Sequence, residues 1–351
     1  MTMTLHALKY LGVYVTPSIV AFSLLAQGYW TYSAMVLIFG IIPLLELLMR
    51  PSTQNLSPEE EEAAKKNPVY DYILYSLLPI QYILLGLFLV RVQQEGLPGY
   101  VYGGWITAFG LSCGVLGINA AHELGHRHTR YEQWMSKMLL LSSLYMHFFI
   151  EHNRGHHRHV ATDEDPASAR RGETVYAFYL RSVWGSWLSA WRLEAERLQK
   201  AGLSRFSWHN EMLRFQAYQV GLLLGIGLLF GLWPLACFVM AATMGFLLLE
   251  TVNYIEHYGL RRSRKGARYE RPLPVHSWNS NHPVGRLLLL ELSRHSDHHY
   301  IASRKYQLLR HFDHSPQMPT GYPGMMLLAF VPPLWFWLMH KRIEQIQFKM
   351  N

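Results

Sequence analysis

The sequence predicts an all-α, polytopic integral membrane protein with six transmembrane helices. Three observations carry that expectation. Only 16% of the 351 residues are charged while 50% are apolar, against roughly a quarter charged in an ordinary soluble domain. Six apolar runs come close to the roughly 20 residues that a helix needs to cross a bilayer. Of the 32 Lys and Arg residues, 31 fall on one side of the topology those runs define, which the positive-inside rule identifies as cytoplasmic.

The spans are expected at 8–27, 29–49, 70–90, 101–121, 215–232 and 234–252. Gly28 alone separates the first two, and the last two turn about 231–233. Pro17, Gly40, Pro43, Pro79 and Gly86 lie inside them, where membrane helices tolerate Gly and Pro better than soluble ones do. Trp30, Tyr70, Tyr100 and Trp233 sit at span ends, the level of the aromatic belts. Six crossings put both termini, the 50–69 connection and the segments 122–214 and 253–351 on the cytoplasmic side, leaving only Arg91 opposite. The chain, 1–351, is expected to form one membrane domain.

Two further apolar runs are expected to lie in or near the interface without crossing. Residues 138–150 are too few to span, and 324–339 contain Pro332 and Pro333. The first run follows a single Lys and is succeeded at once by another, so it is not expected to be a cleaved signal peptide. The stretch Pro58–Lys66 (PEEEEAAKK) is expected to be a solvated linker or short helix. The net charge of +8 follows from topology. No motif or aromatic clustering accompanies the basic residues, so nucleic-acid binding is excluded. Two cysteines, Cys113 and Cys237, exclude a disulfide scaffold, a CxxC pair and any iron–sulfur carrier within the chain.

Histidine is the other compositional excess, with 19 residues. Nine fall in four places, all on the same predicted membrane face. His122 and His126 (HELGH) stand at i, i+4, on one helix face. His152, His156 and His157 (HNRGHH) repeat that spacing with one more imidazole, and His295, His298 and His299 (HSDHH) do so again. His257 stands alone in NYIEHYG. Any one set has an ordinary explanation, and HExxH alone reads as a zinc protease motif with Glu123 as base. Several sets on one membrane face point to metal, and eight or nine nitrogens divide into four and five for two ions. A shared site requires that 138–150 does not cross. Imidazole suits zinc, copper, iron and nickel alike. Glu123, Glu151, Glu256 and Asp297 are placed to orient ring N–H groups from behind the ligands.

The segments HELGHR, EHNRGHH, NYIEHYGL and RHSDHH closely resemble the membrane-bound alkane 1-monooxygenases, the non-haem di-iron alkane hydroxylases. HSWNSNH (276–282) and PTGYPG (319–324) extend the likeness, which covers most of the chain from about residue 70. The resemblance implies two iron ions, O2 as co-substrate and terminal hydroxylation of n-alkanes. It implies the ligands His122, His126, His152, His156, His157, His257, His295, His298 and His299, with no catalytic residue beyond them. His128, His147, His159, His276 and His282 do not match ligand positions. It further implies a bacterial inner-membrane location and a separate rubredoxin donor fed by an NAD(P)H-dependent reductase. The chemistry agrees: an unactivated C–H bond needs a redox metal and O2, which zinc cannot supply. The chain also lacks a nucleotide fingerprint of its own. Arg127, Arg154, Arg158, Arg261, Arg262 and Arg294 would attract an acidic carrier, though lipid headgroups account for them equally well.

The substrate is expected to reach the metals through a channel between spans, entered from lipid. The alternatives are a lipid desaturase or an alkylarene methyl monooxygenase on the same site, an intramembrane zinc protease, and a non-catalytic metal binder or transporter. Transporter sites usually lie nearer mid-bilayer than these span ends.

Overall fold

A computed structural model describes residues 6–266 and 268–350. Six helices in it are long and apolar enough to cross a membrane: α1 His6–Leu25, α2 Gly28–Leu48, α4 Val69–Val92, α5 Gly99–Gly125, α9 Glu211–Phe230 and α10 Leu232–His257. Their lipid-type surface is plain in side chains such as Leu48, Leu228 and Leu229, which stand fully outward. Between α2 and α4 lies α3, Pro58–Lys66, opened by a reciprocal Ser57–Glu60 capping box. Among the described residues the fold is all-α except for one hairpin of two-residue strands, β1 Arg264–Lys265 against β2 Arg268–Tyr269.

Residues 138–150 do not cross, and the reason is local. Helix α6, Arg130–Leu141, stops at Ser142. Leu144 adopts a left-handed φ of 53°, and a new helix, α7 (148–159), begins at Phe148. The turn is held from within the bundle. Ser112 of α5 donates to Gln81 Oε1 of α4 (2.6 Å), and Gln81 Nε2 donates to Ser142 Oγ (3.2 Å). Apolar surroundings make such bonds costly to leave unmade. The turn is therefore buried among helices, and it divides 138–150 between two short helices, neither long enough to span.

Helix α5 packs tightly on α10. A Cβ on Gly245 would stand 2.4 Å from the Cβ of Cys113, so only glycine permits this crossing. Helices α2 and α5 each contain a π-helical turn, Val36–Ile41 and Ser112–Ile118. Such turns concentrate at functional sites, and both flank the cavity described below. A long helix, α8 Val175–Lys200, packs across the start of α9 at Glu211 and the last turns of α10 at Glu250 and Thr251. The last elements are α11 Pro283–Leu288, α12 His295–Tyr300, α13 Tyr322–Ala329 and α14 Pro332–Met350. Helices α13 and α14 meet at a 120° bend beside Pro332, as prolines at a break dictate.

Candidate metal centre

Helix α5 runs on past the expected membrane edge, so His122 sits in its last turn and His126 just beyond. His257 is the last residue of α10. The short helices α7 and α12 bring the other six rings against these two ends. Helix α12 is fixed by what precedes it. Leu290 and Glu291 hold left-handed φ values of 51° and 58°. Glu291 is buried and paired with Arg286 at 2.6 Å, which anchors a backbone conformation that neither side chain favours.

The nine histidines form two groups. One nitrogen from each of His122, His126, His152, His157 and His298 lies within 4.8 Å of the others; His156, His257, His295 and His299 form the second group by the same measure. The i, i+4 reading of the second motif is corrected here. Residues His152–His156 form a π-helical turn, whose wider repeat brings i+5 beneath i. His152 therefore meets His157, with Nε2 atoms 3.1 Å apart, while His156 faces His299 at 3.2 Å.

The donor set fits cations. Burial, the largest cause, with neighbouring His156 and Arg127, pushes His126 down to about 3. Burial and adjacent imidazoles likewise hold His152, His157, His295, His298 and His299 well below the usual value. These rings are therefore neutral, and each has one lone pair. Nε2 of His152 lies 3.1 Å from Nε2 of both His126 and His157, and pairwise N–H···N bonds cannot satisfy such a cluster. Neither nitrogen of buried His122 has a hydrogen-bond partner. Converging neutral nitrogens at this spacing are what two imidazole-bound metal ions require.

The supporting carboxylates differ from those expected. Of the four proposed from sequence, only Glu256 touches a clustered ring, with Oε2 3.1 Å from His295 Nε2; Tyr322 donates to its Oε1 at 2.6 Å. Glu123 is taken by Arg127 and the Tyr306 amide. Asp297 is taken by Arg304 and Arg310. Glu151 is buried beside Gly155. The residue that does orient a ring is Asp165, whose Oδ2 accepts from His156 Nδ1 at 2.9 Å. It lies in an irregular loop, where no spacing rule could have marked it. Of the other histidines, His147 packs on Tyr145, His276 pairs with Glu270, and His282 meets Ser280.

The arginines also sort. Arg127, Arg262 and Arg294 are buried, committed to Glu123, to the Arg158 and Glu270 carbonyls and to the Leu309 carbonyl respectively. They are not surface docking groups. Arg154 is tied to Glu194 and Glu211. Arg158 is exposed, as is Arg261, which pairs with Asp163.

An apolar cavity is lined by histidines of both groups. His122, His152 and His295 close one end, with Asn119, Asn253 and Glu256 beside them; its walls include Ile38, Phe39, Val115, Ile118, Leu248 and Met326. Phe39 and Leu248 also line a second, open groove on the outer surface, together with Met35, Met240, Met244 and Tyr179. These two side chains thus belong to the walls of both the cavity and the outer groove.

Residues 96–339 match the fatty acid desaturase family. The chain is similar to alkane 1-monooxygenase 1 of Pseudomonas aeruginosa, 43% identical over 325 residues, covering 90% of this chain and 84% of that protein. It is similar to the alkane 1-monooxygenase of Acinetobacter baylyi, 39% identical over 309 residues, 86% and 74% covered. More distant is the xylene/toluene monooxygenase hydroxylase component of Pseudomonas putida, 29% identical over 345 residues, 94% and 88% covered.

Proposed function

The chain belongs to the fatty acid desaturase family, among its alkane 1-monooxygenases, and from that premise we propose that it hydroxylates n-alkanes at the terminal carbon to 1-alkanols. The single observation that carries the reading is the apolar cavity, lined at one place by three of the clustered histidines. A substrate with no polar handle can be held only by such a space. Its walls exclude water and direct a chain end toward His122, His152 and His295.

The stoichiometry requires outside electrons. One atom of O2 enters the C–H bond and the other leaves as water. Two electrons come from the substrate and two from a donor, with two protons taken up. Iron held as one ion per histidine group would supply the activation of O2. The residues supply the rest: Asp165 holds the His156 proton on Nδ1, leaving Nε2 free to bind. Glu256 and Tyr322 place a proton-bearing pair at the cavity wall. With two buried cysteines, the chain has no electron carrier of its own, so we assign that role to a separate rubredoxin with an NAD(P)H-dependent reductase. They would dock on the cytoplasmic face of a bacterial inner membrane, where Arg158 and Arg261 are the two exposed members of the six candidate arginines.

The test supplies membranes containing the chain with octane or hexadecane, O2, rubredoxin and reductase, and analyses products and metal. The expected result is the 1-alkanol and two irons per chain, with His152→Ala and His298→Ala inactive. An alkene product would make the enzyme a desaturase. Turnover of alkylarenes alone would favour the xylene-type reaction, and a single zinc would favour hydrolysis. Full activity in either variant would remove that residue from the ligand set.

A further inference from the structure

Helix α8 lies in the segment that the charge pattern assigns to the aqueous side, yet its exposed surface is wrong for water. Every fourth residue is buried, from Phe178 through Ser182, Ser186 and Ala190 to Glu194 and Leu198. The exposed residues fall halfway between. Over the first half the large ones are Tyr176, Leu180, Trp184 and Leu188, beside the small Ala177, with Leu180 80% and Trp184 63% exposed. Over the second half they are Arg192, Glu196 and Lys200. The first half is inverted, with serine and alanine inside and leucine and tryptophan outside. A surface helix in water shows the opposite order.

The geometry explains how one helix meets two solvents. Four residues advance about 40° beyond a full turn. A burial repeat of four therefore rotates the open side steadily along the helix. Between the centre of the apolar row and the centre of the charged row, it turns by about 140°. The two rows face nearly opposite directions.

The depth of the first half follows from its contacts. Tyr179 Oη lies 2.5 Å from Thr251 Oγ1, and Ser182 bonds Glu250. Counting from Trp233 at the far end of α10, about 20 residues traverse a hydrocarbon core of about 30 Å, which ends near Asn253. Residues 250–251 therefore lie just inside the core. Tyr179 also lines the open groove with Met35, Phe39, Met240 and Met244, so the apolar row continues the lipid-facing surface of the spans.

We propose that the first half of α8, residues 175–190, is seated in the bilayer at the boundary between acyl chains and headgroups, its exposed row covered by lipid. The second half rises into the aqueous phase. Helix α8 thereby forms the inner rim of the groove through which an apolar substrate would leave the membrane. The occupant is lipid instead of a second copy or a protein partner, because the patch continues the surface of α2 and α10 and ends where charge begins.

Single cysteines placed at Leu180, Trp184, Arg192 and Lys200 of the full chain, spin-labelled in phosphatidylcholine–phosphatidylglycerol vesicles, test this. Both native cysteines are buried and stay unlabelled. The ratio of collision with O2 to collision with aqueous Ni-EDDA should exceed one at 180 and 184 and fall below one at 192 and 200. Aqueous-type ratios at 180 and 184 would overturn the proposal. So would low access to both reagents with spin–spin broadening, which would place a second copy there. Low access to both without broadening would place another protein there. The same labels in detergent, with native circular dichroism, confirm that each variant is folded.

Discussion

Asp165→Asn tests whether the two histidine groups are separate ligand sets. In the native chain, Asp165 Oδ2 accepts from His156 Nδ1 at 2.9 Å and from Ser168 Oγ at 2.5 Å, while Oδ1 accepts from the Ala167 amide at 3.0 Å. An asparagine keeping its oxygen on Ala167 turns an NH2 toward two donors. His156 escapes that clash by moving its proton to Nε2, the atom that faces His299 Nε2 at 3.2 Å. The ligand nitrogen is then blocked. Loss of such a partner weakens metal affinity about 10- to 100-fold, or about 1.4–2.7 kcal/mol. The assay is chelator competition on purified protein in nanodiscs, with bound iron counted at each step. The ion of the four-histidine group should leave at lower chelator concentration, while the ion of the five-histidine group follows the native curve. A curve superimposable on the native one would refute the orienting role. Equal weakening of both ions would refute the independence of the groups.

Other perturbations follow from the same structure. Val115→Trp fills the cavity seven residues before His122, about 10 Å along α5; product chromatography across an alkane series should show longer chains lost before shorter ones. Burial raises the Glu291 carboxyl, but Arg286, Arg294 and Lys9 outweigh it and hold the group below its usual value. Its stabilisation is therefore complete above the unfolded-state value and is lost as pH falls through the lower folded value. Glu291→Gln should cost about 3–5 kcal/mol at neutral pH, and the gap in thermal unfolding should close in acid. Gln81→Leu leaves Ser112 without its acceptor and Ser142 without its donor, at about 1–3 kcal/mol. Unfolding in detergent should show that loss, together with faster proteolysis at the 142–147 turn.

Much of the fold was legible because hydrophobic length is a one-dimensional signal. The six spans emerged from runs of apolar residues, with helix ends shifted by a few positions. The largest shift is at the end of α10, which carries the apolar run of 234–252 on to His257, and α5 likewise carries 101–121 on through His122 to Gly125. Three sets rich in histidine stood out because the residue is uncommon and the sets recur on one predicted membrane face, and they drew attention to His257 as a fourth. The partner of His156 did not, because Asp165 lies in a loop whose course depends on contacts with Ser168 and Ala167. Glu123 and Asp297 stand beside the boxes in sequence, yet arginines hold them, Arg127 from one turn further on and Arg310 from beyond α12. Burial of Arg127, Arg262 and Arg294 was equally hidden, since an arginine count near a span end reads the same whether the guanidinium faces water or a buried acceptor.

The sequence by itself determined the solvent, the number of crossings and the residue type at the centre. Hydropathy, length and composition are sums over the chain, and a bilayer reads them directly. Only the tertiary structure decided how nine imidazoles divide five and four, because a π-turn moves His157 beneath His152 and sends His156 to the other side. It also decided that α6 turns back at Gln81's hydrogen bonds and that α8 shows an apolar face outward. Each of these depends on which surface meets which neighbour, a property of contacts that no sum along the chain contains.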